Sequence, residues 1–216
     1  MKNATSVGKL WRDREGATFL EFTIVFPLLM LTAFCTVDFA LVVFGWAQGN
    51  KATQNGARLA VVGAPVAAGL NNLTYNVAEM GNDCLDPATG ADEGICETIQ
   101  TVCTPTATDG TCTGYTFDTA AFDPIFTEMQ SFAPALDLQR ENVRITYRTT
   151  GLGFVGRPGG LPMEVTVELR CMSHQVFFLA ALAGWAFEPR DGCPNNDTGV
   201  PMPAFATTLT TEALGS

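Results

Sequence analysis

A run of apolar residues from Phe22 to Ala47 constrains this chain more than any other feature of its sequence. The run covers about 26 residues, or roughly 39 Å as an α-helix, whereas about 20 residues cross the hydrocarbon core of a bilayer. A helix in the core of a soluble protein rarely stays apolar on all sides for that length. The sequence therefore predicts one membrane-spanning helix.

The charged residues beside this run predict its orientation. Four basic residues precede it and only two follow it closely: Lys2, Lys9, Arg12 and Arg14 on one side, Lys51 and Arg58 on the other. Cationic flanks stay on the cytoplasmic side of the membrane. We therefore expect a cytoplasmic N-terminus, with most of the 216 residues on the opposite side.

The net charge excludes one class of partner. The chain carries a formal charge of −10 at pH 7. Removing residues 1–16 would take away four basic and two acidic residues and leave −12. A body of this sign repels phosphate groups, so we expect no binding to nucleic acid.

A carboxylate at the head of the apolar run, Glu21, has two interpretations. It lies either at the membrane interface, stabilised by the positive end of the helix, or in a processing signal. Cleavage between Gly16 and Ala17 would expose a new α-ammonium one helical turn from Glu21, so the two could pair within one subunit or between neighbours. A basic leader, a glycine, four residues, a glutamate and a long apolar run together resemble the processing signal of type IV pilin-like proteins.

A secretory signal peptide is the alternative for this N-terminus, with Gly45-Trp46-Ala47 as a small-x-small cleavage site. The apolar run is much longer than the usual 7–15 residues of such signals, and it contains Pro27 and Asp38. Pro27 predicts either a kink or a short unwound segment. Asp38 is predicted near the outer interface of the membrane, because it follows Glu21 by about 26 Å of helix.

The helix is predicted to continue in a more polar form to Val62 and to end at Gly63-Ala64-Pro65. Gly49 and Gly56 either weaken it or permit close packing against neighbouring helices. We expect a leader at residues 1–16, a membrane and assembly helix at 17–63, and an exterior domain at 64–216. A second short helix is expected over residues 66–80.

Six of the seven cysteines fall in the predicted exterior domain: Cys84, Cys96, Cys103, Cys112, Cys171 and Cys193. In an oxidising compartment an even number predicts three disulfides, with 15 possible connectivities. We favour a Cys171–Cys193 bond, with the other four pairing among themselves. Cys35 lies in the membrane run and is expected to be a free thiol. Residues 81–114 show no periodicity and are predicted to be a Cys-rich loop.

The remaining pattern predicts a small antiparallel β domain with short helices, and therefore an α+β fold. A short helix is expected over residues 123–132, capped by Asp123. Alternating residues predict paired strands at 142–148 and 163–171, and a final edge strand at 201–211. The apolar segment 176–187 is too short to span a membrane. It is either part of the core, or it lies at the membrane surface or against another subunit.

No residues suggest catalysis. The one histidine, His174, has no candidate nucleophile or acid motif beside it, and the cysteines lack the spacing of zinc sites. Residues 151–156 have the letters of a dinucleotide loop, but the prolines and glycines after them cannot open a helix. We expect a protein without enzymatic activity, metal or cofactor.

Two stretches together resemble TadE-like proteins, the minor pseudopilins of tight-adherence (Flp) pilus systems. They are Glu15-Gly16-Ala17 through Glu21-Phe22, and Val25-Phe26-Pro27-Leu28-Leu29. Residues 56–60 and 142–147 are also similar to that family.

The resemblance implies cleavage by a prepilin peptidase at Gly16–Ala17, with Glu21 as the recognition and assembly carboxylate and Asp38 as a second acidic position. It implies an inner-membrane protein with a periplasmic domain. Its partners would be other pilins, the peptidase and the assembly platform of a fine pilus, whether or not the protein is itself incorporated in the fibre. The alternative is an unprocessed, permanently anchored binding protein.

Overall fold

A computed structural model describes residues 14–70, 80–85, 88–90, 96, 98–156, 161–178, 193 and 200–211, without the side chains of residues 14–17. The predicted leader therefore lies almost entirely outside the described residues. The first element is a single helix, α1, of 49 residues from Arg14 to Val62, about 74 Å long. The helix ends at Val62, as predicted. The N–H of Gly63 donates the last helical hydrogen bond, to the carbonyl of Leu59, and Pro65 has no N–H to continue the series.

The apolar half of α1 is a candidate membrane span. Among the described residues it is the one helix long and apolar enough to cross a membrane, and only 11% of its most apolar window is buried. A core helix of a soluble protein would be mostly covered. The helix continues through Pro27 without a break. The predicted unwound segment is therefore wrong, since one missing amide donor does not outweigh the bonds on either side.

The domain that follows α1 is built on a five-stranded antiparallel sheet, in the spatial order Gly110–Cys112 (β3), Gln100–Pro105 (β2), Val143–Thr149 (β5), Met163–Leu169 (β6) and Phe205–Thr211 (β9). Further along the chain lie a second helix, α2, a 3-10 turn at Arg140–Asn142, and two short two-stranded pairings, β1 with β4 and β7 with β8. In chain order the bounds are β1 Ala67–Ala68, β2 Gln100–Pro105, β3 Gly110–Cys112, β4 Thr116–Phe117, α2 Thr119–Phe132, β5 Val143–Thr149, β6 Met163–Leu169, β7 Ser173–His174, β8 Val200–Pro201 and β9 Phe205–Thr211.

The core lies between one face of this sheet and the two helices. Strands β5 and β6 bury every second residue, as the alternation in their sequences predicted. Their inner side chains pack with the buried face of α2 and with the small residues of α1. The outer face carries charged residues and threonines, including an Arg144–Glu168 pair at 3.8 Å. These observations confirm the predicted α+β class and the edge position of β9.

Part of the predicted loop at residues 81–114 is a β-hairpin. Strands β2 and β3 pair with each other, and β2 continues the sheet beside β5. Strand β2 could not be predicted from alternating apolar residues. Its inward positions are Thr101, Cys103 and Pro105, and none of them is a large aliphatic or aromatic residue. The loop prediction is therefore wrong for the part that forms β2 and β3.

Two helix predictions also need correction. Helix α2 starts five residues before Pro124 and is capped by Asp118, whose side chain accepts from the backbone N–H groups of Ala120 and Ala121. Asp123 lies inside the helix and pairs with Arg140 instead. The helix expected over residues 66–80 is not present in its described first part, where Ala67–Ala68 forms strand β1 against β4; residues 71–79 lie outside the described residues.

Three disulfides join six of the seven cysteines. They are Cys84–Cys96, Cys103–Cys112 and Cys171–Cys193, and Cys35 is free. The predicted Cys171–Cys193 bond is confirmed, and the other four cysteines pair among themselves as expected. Of the apolar segment 176–187, the structure describes residues 176–178, and the remainder lies outside the described residues.

Candidate functional site

The first candidate site is the free apolar end of α1. Gly16 and Ala17 lie in its first turns, and Glu21 follows one turn later on an exposed surface. The neighbouring apolar side chains are uncovered: Phe19, Leu20 and Phe22 are 74%, 63% and 60% exposed. Among the side chains that the structure describes, no basic group lies within ion-pair distance of Glu21. Its carboxylate is therefore open to a positive group from outside this part of the chain.

The other half of α1 is fixed to the domain that follows it along a line of very small residues. Gly45, Gly49, Ala52, Gly56 and Ala60 are all buried. Their spacing of three or four residues places them on one face of the helix.

Bulky side chains of the domain fill the space along this line. A β-carbon at Gly49 would lie 2.8 Å from the ring of Phe205, and one at Gly56 would lie 2.6 Å from Sδ of Met129. At Gly45 the nearest atom would be Cε of Met202, at 3.0 Å. The glycines thus permit close packing as predicted, but the partner is the protein's own domain.

Polar contacts fix the register between the helix and the domain. Gln48 Oε1 accepts from the N–H of Ala135 at 3.1 Å, and Thr207 Oγ1 donates to Thr53 Oγ1 at 3.1 Å. Near the end of α1, Thr211 Oγ1 donates to the carbonyl of Val61 at 3.3 Å. Because these bonds are directional and lie in buried or partly buried surroundings, they define one position of the domain along the helix.

Past the end of the helix, Tyr147 closes the junction. Its side chain is fully buried, and its hydroxyl accepts from the N–H of Val66 at 3.0 Å. Burial raises the pKa of Tyr147 to about 12, and the hydrogen bond from Val66 opposes that rise. The hydroxyl therefore stays neutral well above the pH at which an exposed tyrosine ionises.

Asp38 lies in the apolar run, at the opposite end of the helix–domain contact from Tyr147. It is 2% exposed, and its Oδ2 accepts from the backbone N–H of Phe178 at 2.6 Å. One turn earlier, the ring of Phe34 stacks on the ring of Phe178 with centroids 4.4 Å apart and planes 11° apart. Asp38 and Glu21 thus differ in their surroundings, because the structure places Asp38 against the Phe178 backbone and leaves Glu21 exposed.

The described part of the chain was predicted to lack a metal site, and its ligand-type side chains are spread apart. No group of three or more His, Cys, Asp or Glu side chains is placed to hold a metal ion there. His174 is half-buried in β7, where its ring lies near Gly45 of α1. The chemistry that these residues support is packing and ion pairing.

The similarity to a known family lies in the N-terminal part of α1. This part contains the predicted site residues Gly16, Ala17, Glu21, Pro27 and Asp38. Residues 16–58 match the model of the TadE-like protein family. This match confirms the resemblance predicted from the sequence, and it is consistent with a TadE-like protein of the tight-adherence pilus system. It covers most of α1 and none of the residues that follow it. No curated protein and no solved structure matches the chain significantly.

The TadE-like segment thus includes both the open apolar end of α1 and most of the part that packs on the domain. The match to that family suggests a role in the tight-adherence pilus system and contact with its components. Sequence reasoning missed the partners of Asp38 and of the glycines, because these partners lie about 70 to 160 residues away in the chain. The spacing of Gly45, Gly49 and Gly56 on one face of the helix is the sequence feature that could have predicted this packing surface.

Proposed function

We propose that this protein is a minor pseudopilin that takes part in the assembly, initiation or regulation of a tight-adherence pilus. A prepilin peptidase would cleave it between Gly16 and Ala17. It would sit in the bacterial inner membrane with its N-terminus in the cytoplasm and its domain in the periplasm, and it would have no enzymatic activity and no cofactor.

The observation that carries this proposal is the contrast between the two halves of α1. One half is held by the domain. The other presents uncovered apolar side chains around Glu21, which has no ion-pair partner among the described side chains. In a bilayer or a bundle of similar helices, those side chains can pack on neighbours. A carboxylate in such surroundings is unfavourable alone and favourable beside the α-ammonium of a mature Ala17.

Charge at position 21 gives the most direct test. Glu21→Gln keeps the size of the side chain and removes its charge, whereas Glu21→Asp keeps the charge. We expect the Gln variant to reach the membrane but to fail in pilus assembly in its own host, and the Asp variant to keep part of the activity. Normal piliation with Glu21→Gln would overturn the assembly role.

Intact mass distinguishes this function from that of a permanently anchored binding protein. The proposal requires that the membrane-extracted chain starts at Ala17 and that Gly16→Leu prevents this processing. A chain that still starts at Met1 would support the anchored binding protein, and a start at Gln48 would indicate a secreted domain released by a signal peptidase.

A further inference from the structure

We propose that the Val176–Phe178 segment is a second membrane-contact element, which rests in the outer boundary of the lipid bilayer and is held against α1 by Asp38. The inference rests on the membrane insertion of α1 that the proposed function includes. It does not rest on cleavage or on the pilus role. Its ligand is the phospholipid surface itself.

Two contacts fix this segment to α1. The backbone N–H of Phe178 donates to Asp38 Oδ2 at 2.6 Å, and the ring of Phe178 stacks on Phe34. Because Phe34 and Asp38 are four residues apart, both contacts lie on one face of the helix. Val176, two residues earlier in the chain, is buried.

The depth of these contacts follows from the geometry of the helix. If the hydrocarbon begins near Phe19, Phe34 lies about 22 Å and Asp38 about 28 Å along the helix axis. The hydrocarbon core is about 30 Å thick. The ring of Phe178, stacked beside Phe34, would then stand inside the outer leaflet, with Asp38 near its boundary. An aspartate near that depth needs a hydrogen-bond donor, and the amide of Phe178 supplies one.

The exposed chemistry of the segment suits lipid. Phe177 is 72% exposed and Phe178 is 43% exposed, and Phe34 of α1, on which the Phe178 ring stacks, is 42% exposed. The sequence continues without a charged residue to Phe187. Aromatic residues are enriched at the level of the lipid head groups. We commit to lipid as the occupant because this surface is continuous with the membrane-spanning surface of α1.

The charge of the chain indicates how the segment binds. With a net charge of −10, the chain is repelled by anionic head groups. The contact must therefore come from burial of apolar rings. It should be at least as strong in uncharged lipid as in lipid with anionic head groups, and added salt should not weaken it.

Tryptophan quenching in vesicles tests the proposal on the full chain. Trp11, Trp46 and Trp185 are first replaced by phenylalanine, and one tryptophan is then introduced by Phe177→Trp. Phosphatidylcholine brominated on its acyl chains is the lipid quencher, and acrylamide is the aqueous quencher. Leu152→Trp gives the matched aqueous control. Leu152 is an exposed apolar residue that follows β5. This end of the sheet lies near Val61 of α1, because Thr149 pairs with Met163, Met163 pairs with Thr211, and Thr211 bonds to Val61. Val61 is about 34 Å along the helix from Asp38.

We expect several-fold stronger quenching by brominated lipid at position 177 than at position 152. Asp38→Ala should reduce the quenching at position 177 toward the control level, and Asp38→Asn should reduce it less. Equal lipid quenching at positions 177 and 152 would overturn the proposal. So would shielding of position 177 from both quenchers, because it would indicate cover by a second copy.

Leu28→Trp, in the middle of the apolar run, separates failure of this inference from failure of the proposed function. If the indole at position 28 is quenched by lipid and the one at position 177 is not, only the second membrane contact is wrong. If neither is quenched, α1 does not insert, and the anchoring in the proposed function fails with it.

Discussion

The ring of Phe205 lies directly against Gly49 of α1, so close that a β-carbon at position 49 would stand 2.8 Å from Cε2. Phe205 is the first residue of the edge strand β9 and is buried. The contact joins the long helix α1 to the edge strand of the sheet. It therefore offers a sensitive test of the way in which the domain is mounted on the helix.

We expect Gly49→Ala to destabilise the junction. Overpacking of a filled site costs about 1–3 kcal/mol, which exceeds the gain of up to about 1 kcal/mol from replacing glycine inside a helix. The thermal midpoint of the domain in detergent, followed by near-ultraviolet circular dichroism, should fall. Gln54→Ala on the exposed face is the control and should change it little.

A double variant checks the cause of that loss. Phe205→Leu removes the ring edge that the added methyl group at position 49 would meet. Gly49→Ala should therefore cost less in the Phe205→Leu background than in the wild type. Strictly additive losses would indicate that the extra methyl group acts elsewhere than on Phe205.

Tyr147→Phe should lower the free energy of unfolding by about 1–3 kcal/mol, because it leaves the buried N–H of Val66 without its acceptor. Denaturant unfolding at neutral pH measures this loss. Thr146→Val, on the outer face of the same strand, is the comparison and should have a smaller effect.

The same tyrosine predicts a loss of stability in alkali. Burial raises the pKa of Tyr147 to about 12 in the folded protein, while in the unfolded chain it ionises near its ordinary value of 10.0. The full contribution is present below pH 10 and is lost as the pH rises toward 12, by roughly 2–3 kcal/mol. Tyr147→Phe should show a shallower decline over this interval, and parallel curves for the two proteins would contradict the prediction.

Asp118→Ala should lower the stability of the domain by about 1 kcal/mol, since it removes the oxygen that accepts from Ala120 and Ala121 at 2.9 and 3.2 Å. Asp118→Ser should retain most of that stability, because serine is also a good N-terminal cap. The measurement is the thermal midpoint of each variant. Equal losses in the two variants would show that the cap is not what Asp118 contributes.

The disulfides predict a definite mass and peptide map. Reduction should add about six daltons, two for each of the three bonds, and alkylation of the unfolded, unreduced chain should modify Cys35 alone. A non-reducing digest should yield the Cys84–Cys96, Cys103–Cys112 and Cys171–Cys193 linkages. Any other linkage among the 15 possible connectivities would contradict the fold.

Loss of the Cys103–Cys112 bond should be costly for the hairpin. The two residues are directly opposite each other in β2 and β3. Replacing both with alanine should lower the stability by about 2–4 kcal/mol. Protease cleavage between residues 105 and 110 should then become faster than in the wild type, and an unchanged rate would count against a structural role for the bond.

Local patterns in the sequence predicted the elements whose side chains follow a regular period. The long apolar run indicated α1, and its end at Gly63-Ala64-Pro65 was visible because glycine and proline interrupt a helix. Strands β5 and β6 were predicted because they alternate apolar and polar residues, and the TadE-like resemblance was carried by residues close together in α1. The strand β2 was missed because its inward positions are threonine, cysteine and proline.

The order of residues alone is enough to predict one long apolar helix, three disulfides among six cysteines, and a carboxylate at Glu21 close to a candidate cleavage site. The residues that pack against the helix are known only from the folded chain: Phe205 at Gly49, Met129 at Gly56 and Phe178 at Asp38. Helical and strand periods depend on neighbours a few residues apart and can be read locally. Contacts between segments distant in the chain depend on how complementary surfaces fill space in three dimensions, which no local pattern records.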